Sequence, residues 1–150
     1  MPTMLILRGK AGHYDGKDWP RGALDEPSAL EYARRRGYTG QVLDIAGVAA
    51  EGSAQTKLAL SEFRKDSSVT AIYGFSAGGY NVKHFLDELS GPELRRLDLV
   101  VVLGAPGNKA DKYDSHKYQA NWELVYRVDP IPEGHMAGPR KLLEELGPGP

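Results

Sequence analysis

The stretch Val69-Thr70-Ala71-Ile72-Tyr73-Gly74-Phe75-Ser76-Ala77-Gly78-Gly79 leaves the chain few ways to fold. Val69, Ala71, Ile72 and Tyr73 are a short run of strand formers that stops at a glycine, and they predict a buried strand. Val82, Phe85, Leu86 and Leu89 recur at helical spacing and predict a helix with one apolar face. A chain passing directly from such a strand into such a helix must turn sharply and hold its apex residue, Ser76, in a strained conformation. Side chains beside the apex would collide, so Gly74 and Gly78 make room. Ser76 is then presented at the carboxyl edge of a sheet and at a helix start, where free N–H groups and positive potential favour an anion. The N–H of Ala77 would face an oxyanion formed there.

The remaining apolar patterns extend this unit in both directions. Met4-Leu5-Ile6-Leu7 predicts a first strand, ending in the loop Arg8-Gly9-Lys10-Ala11-Gly12 and followed by a polar, aromatic segment from His13 to Arg21. A first helix is expected from about Glu26-Pro27-Ser28, since proline suits the first turn and Ser28 with Glu31 fits a capping box; Arg34-Arg35-Arg36-Gly37 ends it. Gln41 to Gly47 predicts a second strand and Ser53 to Lys65 a second helix. Ser90-Gly91-Pro92 stops the third helix. Leu99 to Gly104 is an almost unbroken apolar run, as expected of a parallel strand covered on both faces. Ala105 to Asn121 reads as a long polar loop, Trp122 to Val128 as a last strand closed by Asp129-Pro130-Ile131-Pro132, and Lys141 to Leu146 as a terminal helix.

Strands alternating with helices imply right-handed βαβ units, hence one domain over residues 1–150: a three-layer α/β/α sandwich on a mostly parallel sheet of about five strands. Ligands bind beyond the carboxyl ends of such strands. The Gly9 to Gly12 loop, Ser76 and the Asp129 loop should therefore collect at one edge.

A net charge of -1 gives no electrostatic reason to expect nucleic acid or an anionic membrane as a partner. With no cysteine, disulfides and thiolate chemistry are excluded, which suits a cytoplasmic location. The N-terminus runs into a strand without a basic leader or a long apolar stretch, so neither signal peptide nor membrane span is expected. Scattered histidines and the missing H-E-x-x-H spacing argue against a metal, and Gly9-Lys10-Ala11-Gly12 lacks the full dinucleotide fingerprint, so no cofactor is expected.

Gly74-Phe75-Ser76-Ala77-Gly78-Gly79 between strand and helix resembles the nucleophile turn of the α/β-hydrolase family, especially its small, lid-poor esterase and cutinase-like members, and the order of elements is similar over most of the chain. The resemblance implies a minimal α/β-hydrolase: a serine hydrolase acting on a small-molecule acyl substrate, an ester or thioester, through an acyl-enzyme on Ser76. A serine hydroxyl needs a base, and the base needs a partner that fixes its tautomer. The family's order of nucleophile, acid and histidine is met by Ser76, Asp129 and His135, with His116, near Asp111 and Asp114, as the competing base. His84 lies too far along the helix behind Ser76. The family's second oxyanion donor comes from a loop after an early strand, where Arg8-Gly9-Lys10 stands, so the Lys10 N–H would join that of Ala77. His13, His116 and Tyr113 are possible pocket residues. Little sequence is left for a lid, so an open, shallow site is expected. The rival expectations are a non-catalytic small-molecule-binding module on the same fold, and an amidase or peptidase using the same triad.

Overall fold

The apolar runs pair as expected in the structure, a computed structural model that describes residues 1–105, 107–128 and 134–148. In chain order its elements are β1 (Thr3–Leu7), β2 (Gly12–Tyr14), β3 (Lys17–Trp19), α1 (Glu26–Arg35), β4 (Thr39–Val42), α2 (Ala54–Lys65) and β5 (Val69–Phe75), then α3 (Ala77–Glu88), α4 (Gly91–Leu94), β6 (Leu99–Leu103), β7 (Glu123–Arg127) and α5 (Gly138–Leu146). Three short 3-10 turns, Ala110–Tyr113, Ser115–Tyr118 and His135–Ala137, punctuate the second half.

Five strands form one sheet in the order β4-β1-β5-β6-β7, every pairing parallel. The first sheet strand in sequence therefore lies between the second and third, and the order reverses at the boundary of β1 and β5. The two crossovers leaving β1 and β5 go to opposite sides there, which opens a crevice at the strands' carboxyl ends.

Side-chain alternation divides the core into two layers. Leu5 and Leu7 of β1, Ile72 of β5 and Val100 and Val102 of β6 pack against Ala59 and Phe63 of α2 and Val82, Phe85 and Leu86 of α3. Met4 and Ile6, with Ala71, Tyr73 and Phe75, pack the opposite way, against Ala29, Tyr32 and Ala33 of α1 and Leu142 of α5. The result is an α/β/α sandwich. Phe63 and Phe85 meet edge to face with centroids 5.4 Å apart and lock α2 to α3; such a pair adds about 0.5–1.5 kcal/mol beyond its burial.

Local chemistry sets the helix starts. Asp25 caps α1, accepting from the Ser28 N–H and Oγ, so Ser28 serves the cap and does not form the capping box with Glu31. Ser53 caps α2 through the Thr56 N–H, and Ser90 with Glu93 makes a full capping box on α4, a turn the sequence reading took only as a stop. The edge strand β4 also differs from expectation. It lies at Thr39–Val42, paired from Thr3↔Thr39, and the apolar residues after Val42 leave the sheet. Leu43 turns into the core, and Ile45 and Gly47 fold over the end of β1. The segment after β1 is not irregular: β2 and β3 make an antiparallel hairpin outside the main sheet, turning on Asp15 at φ 50° and Gly16 at φ 75°. Among the described residues no helix is long and apolar enough to cross a membrane.

Candidate active site

Ser76 lies between the last residue of β5 and the first of α3, with φ 57° and ψ -118°. A serine rarely adopts positive φ, and residues so held cost about 1–3 kcal/mol and gather at functional sites. The surroundings impose the conformation. The Ser76 N–H donates to Leu103 O at 2.8 Å, tying the apex to the end of β6, and the Ser76 carbonyl accepts from the Gly79 N–H at 2.8 Å. Gly78 packs so tightly under β1 that a Cβ there would stand 2.4 Å from Leu7 O.

Serine at a helix N-cap normally turns its oxygen back onto the first-turn N–H groups. Ser53 and Ser90 do so here; Ser76 makes no such bond. Its Oγ is therefore not spent on the helix, and among the described residues the Ala77 N–H donates to no backbone carbonyl. Ser76 is half-buried and Ala77 is 6% exposed, so a serine hydroxyl that caps nothing and an N–H with no backbone acceptor lie together, largely shielded from solvent.

The loop after β1 closes on the serine from the other side of the crevice. A Cβ on Gly9 would come within 3.2 Å of Ser76 Cβ and 3.3 Å of Phe75 Cδ2. The Gly9 N–H donates to Ala23 O, Gly9 O accepts from Gly47 N–H, and Lys10 O accepts from Ala23 N–H. Among the described residues the Lys10 N–H has no backbone acceptor. Because the peptide plane is trans, its N–H points opposite to the Gly9 carbonyl, away from Gly47.

A buried polar brace holds this loop, and the sequence reading missed it. Gln55 of α2 is fully buried; its Nε2 donates to Arg8 O at 2.9 Å and to Ile45 O at 3.0 Å, while its Oε1 accepts from Asn81 Nδ2 at 2.9 Å. Asn81, also fully buried, belongs to α3, so the brace links the loops after β1 and β4 to the helix that Ser76 begins. A signal was present: Gln55 falls four residues before Ala59 and eight before Phe63, a polar residue on an apolar stripe.

His135 opens the 3-10 turn before α5, and its ring stacks on Phe75 with centroids 4.8 Å apart and planes inclined by 29°. Phe75 immediately precedes Ser76, so the His135 ring stacks on the residue next to the serine. Asp129 lies outside the described residues, as does the segment Pro130-Ile131-Pro132 that follows it.

The other expected site residues lie elsewhere. His116 is 89% exposed and bonded to Asp114. Its turn is anchored by Tyr118, whose hydroxyl donates to Asp87 near the far end of α3, roughly 15 Å along the axis from Ala77. His13 is on β2, 65% exposed and paired with Asp18 at 3.2 Å. Tyr113 is a correction: it is fully buried, donates to Gly79 O at 2.8 Å and supports Trp122, whose Nε1 donates to Tyr113 O. It lines neither of the cavities described among these residues; burial raises its phenol pKa and it braces the start of α3 from within the core.

A cavity of about 600 Å³ is walled by the hairpin, the start of α1, Arg8 and Met136; Ser76 itself is not among its lining residues. Arg8 adjoins Gly9, which packs on Ser76, and Met136 adjoins His135, so two of its lining residues are chain neighbours of the candidate site. No model of a known protein family matches this chain, and no curated protein matches it either.

Proposed function

We propose that the protein is a serine hydrolase of the α/β-hydrolase type, cleaving an ester or thioester through an acyl-enzyme on Ser76. The observation that carries this reading is the state of Ser76 itself: positive φ, a helix N-cap position, and an oxygen that does not cap. Strain of this kind persists only where the surroundings enforce it. A structural turn would relax it with glycine, and a structural cap would use the oxygen.

In the proposed reaction Ser76 Oγ attacks the acyl carbon while its proton passes to the imidazole of His135. The carbonyl oxygen becomes an oxyanion, held by the N–H groups of Ala77 and Lys10. Collapse breaks the bond to the leaving alcohol or thiol, which takes the proton from the imidazolium. Water then attacks the acyl-enzyme with the same histidine as base, releasing the acid and restoring Ser76. Asp129 is proposed to orient the imidazole. The stacking of His135 on Phe75, the residue before Ser76, supports the assignment of His135.

The test is labelling by a fluorophosphonate probe with mass mapping of the modified residue, run beside turnover of a short-chain p-nitrophenyl ester. One label per chain at Ser76, and turnover abolished in Ser76→Ala with its fold retained, are expected. His135→Ala should lose about 10²- to 10⁴-fold in kcat, the usual contribution of a general base, and His116→Ala should lose none. No labelling at Ser76 would leave a non-catalytic binding module as the reading; faster turnover of an amide than of the matching ester would make the enzyme an amidase.

A further inference from the structure

Arg8 holds more hydrogen-bonding capacity than the described residues use. Its side chain is 7% exposed, and among the described residues it makes one ion pair, Nη2 to Glu26 Oε2 at 2.8 Å. Its Nε is closed off from solvent and meets no acceptor. A guanidinium presents five donors in a planar fork, and leaving buried donors unmet is unfavourable. Burying such a group with one side-chain partner is not what stability alone would select.

The cation lines the cavity of about 600 Å³. Its backbone is also fixed, since Gln55 holds Arg8 O and the next residue, Gly9, packs on Ser76 Cβ. Four carboxylates share the lining, and three are engaged already. Asp25 caps α1, Glu26 pairs with Arg8 and Asp18 meets His13. The fourth, Asp15, stands at the exposed tip of the hairpin turn. Arg21 is paired with Asp44, whereas Lys17 has no acidic partner among the described residues. The charge that is both buried and under-used is therefore positive.

We infer that this cavity is the acyl pocket and that Arg8 receives a carboxylate at the far end of the acyl chain, so that the preferred substrates are monoesters or monothioesters of short dicarboxylic acids. This rests on the hydrolase reading of Ser76. A singly charged, planar group suits the site. It can accept from Nη1 and share Nη2 with Glu26, whereas a dianionic phosphate would meet the acidic rim. Because Arg8 is two residues from Lys10 along one braced loop, the same segment grips both ends of the acyl group: the Lys10 N–H at the reacting carbonyl, the Arg8 side chain at the remote carboxylate. Trp19, Leu24 and Met136 supply an apolar wall for the methylenes between them.

The experiment compares three p-nitrophenyl esters that differ at the end of the acyl chain: the adipic acid monoester, the neutral hexanoate and the ε-aminocaproate. The adipate monoester is expected to have the highest kcat/KM, by about tenfold or more over the neutral ester, and Arg8→Gln should shrink that ratio by about 10- to 100-fold, the scale of a buried charge-assisted pair. Binding is read without turnover by titrating monomethyl adipate into the Ser76→Ala protein, with and without Arg8→Lys. The Lys variant keeps the charge but loses the fork, and should weaken Kd by about tenfold; it also serves should Arg8→Gln fail to fold. Equal rates for the three esters, or preference for the ammonium ester, with turnover still dependent on Ser76, would overturn the carboxylate assignment and leave the hydrolase standing. Arg8-dependent binding of monomethyl adipate by a protein that turns over no ester would uphold the assignment and remove the hydrolase. Absence of both selective turnover and Arg8-dependent binding overturns it.

Discussion

Replacing Ser76 with glycine is expected to leave the protein more stable than replacing it with alanine, the reverse of the usual order. Both substitutions remove Oγ, and since that oxygen caps nothing, neither loses a capping bond. Alanine keeps a Cβ at φ 57° and ψ -118° and so keeps the strain, which is worth about 1–3 kcal/mol. Glycine releases it but makes the unfolded chain freer, at about 0.5–1 kcal/mol. It also opens a small gap where Ser76 Cβ faces Gly9. The net difference centres on about 1 kcal/mol in favour of glycine, or about 2–4 °C in Tm for a domain of this size. Urea unfolding followed by the fluorescence of Trp19 and Trp122 and by circular dichroism would measure it. A shift in midpoint at constant m-value isolates stability from changes in compactness. If Ser76→Gly proved less stable than Ser76→Ala by about 1 kcal/mol, the ordinary penalty for glycine, the backbone at the apex would be unstrained. The energetic argument for a serine held there for chemistry would then fail.

Two further expectations concern the frame around the site. Gln55→Leu should cost about 3 kcal/mol, because it strands two backbone carbonyls and Asn81 Nδ2 in the core. Asn81→Leu should cost less, about 1–2 kcal/mol, since it strands only Gln55 Oε1 and removes an Asn81 Oδ1 that is already without a partner; urea midpoints of the two variants would rank them, and the opposite ranking would refute the brace as described. Hydrogen bonds from Arg64 and from the Ser90 N–H lower the pKa of Glu93 from 4.5 to about 2, and bonds from Arg34 and Arg35 do the same for Glu31. Both folded values lie below the unfolded ones, so their stabilisation is present above about pH 4.5 and fades as pH falls toward about 2. Glu93→Gln should therefore flatten the acid limb of a stability-against-pH curve, modestly because the pair is largely at the surface; an unchanged limb would refute that pairing.

The fold was legible where burial is two-sided. β5 and β6 read as strands because parallel strands between two helical layers carry apolar residues on both faces, leaving little room for another interpretation. β4 was placed too late because an edge strand is only half-covered, and the apolar residues beyond Val42 serve the loop over β1. The hairpin was overlooked although Asp15-Gly16 is a strong type I′ signal; its strands are too short to show alternation. The serine turn was legible because strand, glycines and helix all point to one geometry. Gln55, Asn81 and Arg8 were not singled out as site elements, since their importance comes from what lies across the sheet edge, at sequence separations of 26 and 47. Tyr113 misled because an aromatic residue in a polar loop looks like a surface group until the loop is seen to fold against α3.

The parts of the crevice that would do chemistry are largely main chain, wedged together where β1, β4 and α3 converge, with side chains excluded by contact distances below 3 Å. Such a seam is copied intact from one generation of mutants to the next, because almost any replacement there destroys the protein. The hairpin has no share in the main sheet, and apart from Tyr14 and Trp19, which pack on the core, its residues are exposed. With Ser76 as the nucleophile proposed above, substrate preference could drift in a lineage descended from this chain while the reacting centre stood still, and a directed-evolution library confined to residues 13–19 should find new specificities without searching the seam at all.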